Sequence, residues 1–68
     1  MYRIKINNIG YVKSVEFNVD SSLLIVPTTM PNEAELFEKD QAKRYCNILN
    51  YENQSKNITF SIEEIPSE

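Results

Sequence analysis

The chain has 68 residues, seven basic and ten acidic, no histidine and a single cysteine, for a formal charge of −3. That length holds one domain, residues 1–68, with a small core. The composition excludes an internal disulfide and the usual zinc ligand sets, and it removes the histidine base that serine and cysteine nucleophiles commonly use.

The first element is "YRIKIN". Tyr2, Ile4 and Ile6 alternate with Arg3 and Lys5, the period of a half-buried strand. "NNIG" supplies a turn, with Asn7, Asn8 and the lone Gly10 as residues that can take left-handed conformations. "YVKSVEFNVD" again has strand character, with Val15, Phe17 and Val19 on one side and Glu16 and Asn18 on the other. Val12 has the opposite parity and faces away unless a bulge shifts the phase. "DSS" makes the second turn. "LLIVP" reads as a third strand that Pro27 terminates.

"TTMPN" is an extended or turning connection, because two prolines four residues apart resist a helix. Met30, between them, is expected to plug the edge of the core. A short turn of helix with "NEAELF" as its body can follow Pro31. The main helix is expected over about 39–50. Ala42, Tyr45, Cys46 and Leu49 stand at i, i+3, i+4 and i+7 and form one apolar stripe. Asp40 near its start favours the helix dipole. "YENQSKN" lacks periodicity and reads as a loop. "ITFSIEEI" is a closing strand with Ile58, Phe60 and Ile62 alternating, and "PSE" a frayed end. The fold class is therefore α+β: a small antiparallel sheet in the order β-β-β-α-β, with one amphipathic helix on one face.

Chemistry is sparse. Cys46 falls on the apolar stripe, where a thiol packs as a small hydrophobe. One glycine cannot build a phosphate-cradling loop. The carboxylates Glu33, Glu35, Glu38 and Asp40 crowd eight residues, but no D-x-D-x-D-G loop accompanies them. They read as a solvated face, and as the one candidate partner-binding cluster: an acidic patch that would steer a basic protein surface. No catalytic residue, cofactor or metal is expected, and the chain does not read as an enzyme. Residues 1–26 sum to +1 and residues 27–68 to −4, so a basic footprint for nucleic acid is missing. The nearest approach is "YRIKINNIGYVK", with Tyr2, Arg3, Lys5, Tyr11 and Lys13. No apolar run is long enough for a bilayer, and "MYRIKINNIG" lacks the continuous apolar core of a secretion leader, which leaves the cytoplasm as the expected address. So small a core also leaves self-association, as a homodimer, open.

The layout resembles that of small uncharacterised accessory proteins of phages and prophages of Gram-positive bacteria. "YRIKI" and "YVKSVEF" carry the resemblance. So do Ala34-x-x-Phe37-x-x-x-x-Ala42, the Cys46-x-x-Leu49 helix end and an acidic closing strand. It implies a non-catalytic protein-binding module, acting in the host cytoplasm on a host or phage protein. The alternative expectation is a nucleic-acid-associated accessory protein that uses the basic N-terminal hairpin.

Overall fold

The computed structural model describes residues 1–66. Four strands form one antiparallel sheet: β1 Tyr2–Ile6, β2 Gly10–Phe17, β3 Leu23–Thr28 and β4 Phe60–Glu64. Their order across the sheet is β3-β2-β1-β4. The first three form a meander. The chain then crosses through one helix, α1 Lys39–Glu52, and returns with β4 beside β1. The expected class and helix placement are therefore found. Of the expected frayed end "PSE", Pro66 is exposed and outside the strand, while Ser67 and Glu68 lie outside the described residues.

The core joins the apolar face of β1 to the helix stripe. Ile4, Ile6, Val12, Phe37, Ala42, Cys46, Leu49 and Phe60 are all buried and packed together. Ala42, Cys46 and Leu49 come from α1 at the predicted spacing, and Tyr45 is half-buried beside them. Tyr45 holds the sheet to the connection by edge-on aromatic contacts, 5.4 Å to the Phe37 ring and 6.0 Å to that of Phe17.

The phase of β2 changes part-way along the strand. A bulge between Val12 and Ser14 lets Val12 pair with Pro27 and Val15 with Ile25 while both reach the core side. Val12 is thus fully buried although its parity in a regular strand points it away. Phe17 and Val19, expected to share the buried side, are largely exposed: Phe17 ends β2 with its ring edge-on to that of Tyr45, and Val19 lies past the strand in the turn.

Several local expectations are corrected. Gly10 is not left-handed; Asn8, with φ 68°, takes that conformation in the first turn. Gly10 is needed for space, since a Cβ there would collide with the Thr28 carbonyl oxygen. β3 runs through Pro27 to Thr28, which an edge strand permits because an outward proline removes no ladder bond. After Pro31 only a 310 turn forms, Pro31–Glu33. The next residues are extended, so that Phe37 and Tyr2 exchange two backbone hydrogen bonds of 2.7 and 2.8 Å. α1 continues to Glu52, and the expected loop contains a second 310 turn, Gln54–Lys56. Asn53 ends the helix by donating its side-chain amide to the Leu49 carbonyl at 2.8 Å. Asn57, left-handed at φ 57°, then turns the chain toward β4. Met30 is exposed, so it does not plug the core.

Candidate functional site

The helix does not cover the whole sheet. It packs on β1 and β4 and leaves the β2–β3 half thinly covered. The pairing register gives each strand two faces. Leu23 and Ile25 oppose Phe17 and Val15 on the helix side, whereas Leu24 and Val26 oppose Glu16 and Ser14 on the outer side. β3 is therefore apolar on both faces. Leu24 is 53% exposed and Val26 48%, while Leu23 and Ile25 are only half-buried. The outer face therefore carries an exposed apolar pair at this edge.

β3 is also an open edge. The Asn18 amide donates to the Ser22 carbonyl at 2.8 Å, which fixes the alternation of rungs and turns the amides of Leu23 and Ile25 outward. The Leu23 amide meets the Glu52 carboxylate at 3.3 Å, and Pro27 has no N–H to present. The other edge, β4, is better closed. Asn50 accepts from the Phe60 amide at 2.7 Å and donates to the Phe60 carbonyl at 3.0 Å, and Glu63 and Glu64 add charge.

Beside β3 on the helix side lies an apolar pocket of about 170 Å³. Ile25 and Pro27 form its wall on β3, Ile6 and Phe60 its floor, and Ile9 and Ile58 its far rim. Asn53, where α1 ends and the chain turns through Gln54–Lys56 toward β4, completes the lining.

The four carboxylates singled out in the sequence are all exposed, strung along the connection and the helix start. Glu33 accepts a hydrogen bond from the Thr28 hydroxyl at 2.8 Å, which places it at the end of β3. Glu35 is anchored through its backbone amide to the Val12 carbonyl at 3.2 Å. Glu38 occupies the N-cap position of α1 without a side-chain bond, and Asp40 lies in the first turn. Among the described residues no three acidic or cysteine side chains converge on a metal-sized site. No helix there is long and apolar enough to cross a membrane.

The basic hairpin is partly engaged in holding the fold. The Arg3 guanidinium is ion-paired with Glu63, with Nε 2.6 Å from Oε1, lies 4.8 Å above the Tyr11 ring and reaches the Pro31 carbonyl at 3.3 Å. Lys5 and Lys13 remain exposed. Cys46 is buried, and burial pushes its thiol pKa up, offset in part by the Asn50 side-chain amide 3.6 Å from Sγ.

Comparison with protein-family models, with curated proteins and with solved structures gives no match for this chain.

The carboxylates were visible in the sequence as a cluster, but β3 was not recognised as a surface. The signal was present: "LLIVP" is apolar at every position. A sheet with a single covering helix can bury only one side of such a run.

Proposed function

We propose that this chain is a non-catalytic protein-binding module that works by accepting an extended segment at the β3 edge. The observation that carries this reading is an open edge strand whose side chains are apolar on both faces. Backbone pairing gives such a segment its affinity, and alternate side chains settle on the two sides of the sheet. Soluble proteins normally protect an edge of this kind with charge, a bulge or a covering element. Here the run from Leu23 to Val26 carries no charge of its own, and such protection is confined to its two ends, where Glu52 meets the Leu23 amide and Pro27 lacks an N–H.

Glu33, at the end of β3, and Glu35, Glu38 and Asp40 beyond it give the approach to this edge a negative field. A partner with basic residues beside an apolar extended segment fits both features. If the resemblance to phage accessory proteins holds, that partner is a host or phage protein and the module acts in the host cytoplasm. The nucleic-acid alternative draws less support, because Arg3 is committed to Glu63 and Tyr11.

The test is capture by immobilised chain from lysate of a Gram-positive host, with wild type compared with a Leu24→Lys, Val26→Lys double variant. Retention by wild type and loss by the variant is expected. Equal retention removes β3 as the docking edge. Binding to mixed DNA and RNA that weakens steeply with salt would favour the alternative instead.

A further inference from the structure

We infer that the segment received by β3 is an extended stretch of a partner protein with basic residues at i and i+5 and large apolar residues between them. This rests on the reading of β3 as the docking edge and names its occupant.

The backbone of the edge fixes the frame. The amides and carbonyls of Leu23 and Ile25 point outward, and so does the Pro27 carbonyl. An antiparallel segment forms doubly bonded pairs with Leu23 and Ile25 and donates once more to Pro27. Each of its side chains leaves on the same face as the residue it opposes. The positions opposite Ile25 and Pro27 therefore lie on the helix side, along the wall of the pocket. Those opposite Leu24 and Val26 lie on the outer face. Large apolar side chains at these four positions lean over β3 and cover groups that backbone pairing alone would leave in water.

A carboxylate stands at each end of this frame. Glu52, the last residue of α1, comes from the helix side and meets the Leu23 amide at 3.3 Å. That separation is at the limit of a hydrogen bond, so the amide is readily surrendered to a partner carbonyl. Glu33 accepts from the Thr28 hydroxyl at 2.8 Å. Thr28 pairs with Tyr11 and Tyr11 with Lys5, which is exposed on the outer face between buried Ile4 and Ile6. Arg3, on that same face, reaches the carbonyl of Pro31, which opens the 310 turn that Glu33 ends.

The two carboxylates thus lie at opposite ends of β3 and on opposite faces. Leu23 and Thr28 are five positions apart, an odd number, so the residues opposing them also leave on opposite faces. A basic side chain opposite Leu23 meets Glu52, and one opposite Thr28 meets Glu33. A spacing of four or six turns one of them to the wrong face. The chain brings no cation of its own to this edge: residues 18–30 contain Asp20 and no basic residue, and Arg3 is paired with Glu63.

The experiment is fluorescence anisotropy of labelled synthetic segments titrated with the intact chain at low salt. The probe has lysines at i and i+5 around four valine and phenylalanine residues. Two controls of the same composition space the lysines at i+4 and i+6, and a third replaces both lysines by glutamates. The probe should bind about threefold tighter than either respaced control, the size of one exposed ion pair. The glutamate segment should bind at least about tenfold more weakly than the probe. A Glu33→Lys, Glu52→Lys double variant, changed only at exposed positions, should keep the circular dichroism of wild type and prefer the glutamate segment. Equal affinity for all three lysine spacings overturns the inference. So does a folded double variant that still prefers the lysine probe. The docking reading is judged separately, with the probe N-methylated at the positions opposite Leu23 and Ile25. It stands if methylation abolishes binding and falls if the methylated probe binds equally well. A probe that does not bind at all overturns both.

Discussion

The side-chain amide of Asn50 holds both backbone groups of Phe60, accepting from its N–H at 2.7 Å and donating to its carbonyl at 3.0 Å. A helix residue here acts as one rung of a missing strand. It closes the outer edge of β4 and fixes where α1 sits along it. Asn50→Ala leaves two edge groups of a buried residue without partners. A loss of about 1–3 kcal/mol is expected in urea unfolding. An unfolding midpoint equal to that of wild type would mean that water replaces the amide at no cost.

Phe37 is 2% exposed and has the Tyr45 ring edge-on at 5.4 Å. Its backbone is also tied to Tyr2, so the chain cannot easily collapse into the space the ring leaves. Phe37→Ala is expected to cost about 3–5 kcal/mol, enough to unfold a domain of this size. A cooperative thermal transition close to that of wild type would contradict this packing.

Gly10 and Asn8 separate two roles in one turn. Gly10→Ala places a methyl group against the Thr28 backbone, which must move, and should destabilise by roughly 1–3 kcal/mol. Asn8→Gly removes the steric penalty at φ 68° and should change stability little. Thermal melts of both variants check the pair, and a neutral Gly10→Ala would show that β3 yields freely at its end.

Cys46 is buried, and its thiol is held in the neutral form by desolvation. Its folded pKa lies above its unfolded one. As pH rises past the ordinary thiol value, the unfolded chain loses the proton first and stability falls. The expected outcome is a stability decline above about pH 8.5 that is shallower in Cys46→Ala. Native labelling by a thiol reagent should follow the opening of the fold, and immediate labelling without denaturant would place the sulfur at the surface.

Neutralising Glu33, Glu35, Glu38 and Asp40 as Gln and Asn should leave folding nearly intact, because all four are exposed. The bond from the Thr28 hydroxyl survives Glu33→Gln, because the new amide oxygen is still an acceptor. Association with a basic partner should slow, and its on-rate should lose much of its salt dependence. Stopped-flow rates at low salt that match wild type would remove the carboxylates from the encounter.

Local pattern was enough for the class of the fold and for most of its elements. Alternation in "YRIKIN" and the stripe of Ala42, Cys46 and Leu49 depend on neighbours a few positions apart, and local chemistry sets them. The same holds for the carboxylate run, whose exposure follows from its charge. Everything else depended on contacts between distant residues. Arg3 meets Glu63 across 60 positions, and that neighbourhood puts β4 beside β1. Once β4 is there, α1 follows it, and β3 is left as the bare edge. The bulge that buries Val12 is likewise set by the register against Pro27. A continuous apolar run such as "LLIVP" announces a strand, but only the position of the single helix decides which of its side chains stay in water. One helix cannot shield both faces of a sheet, and strand order is a long-range property that no short stretch of sequence contains.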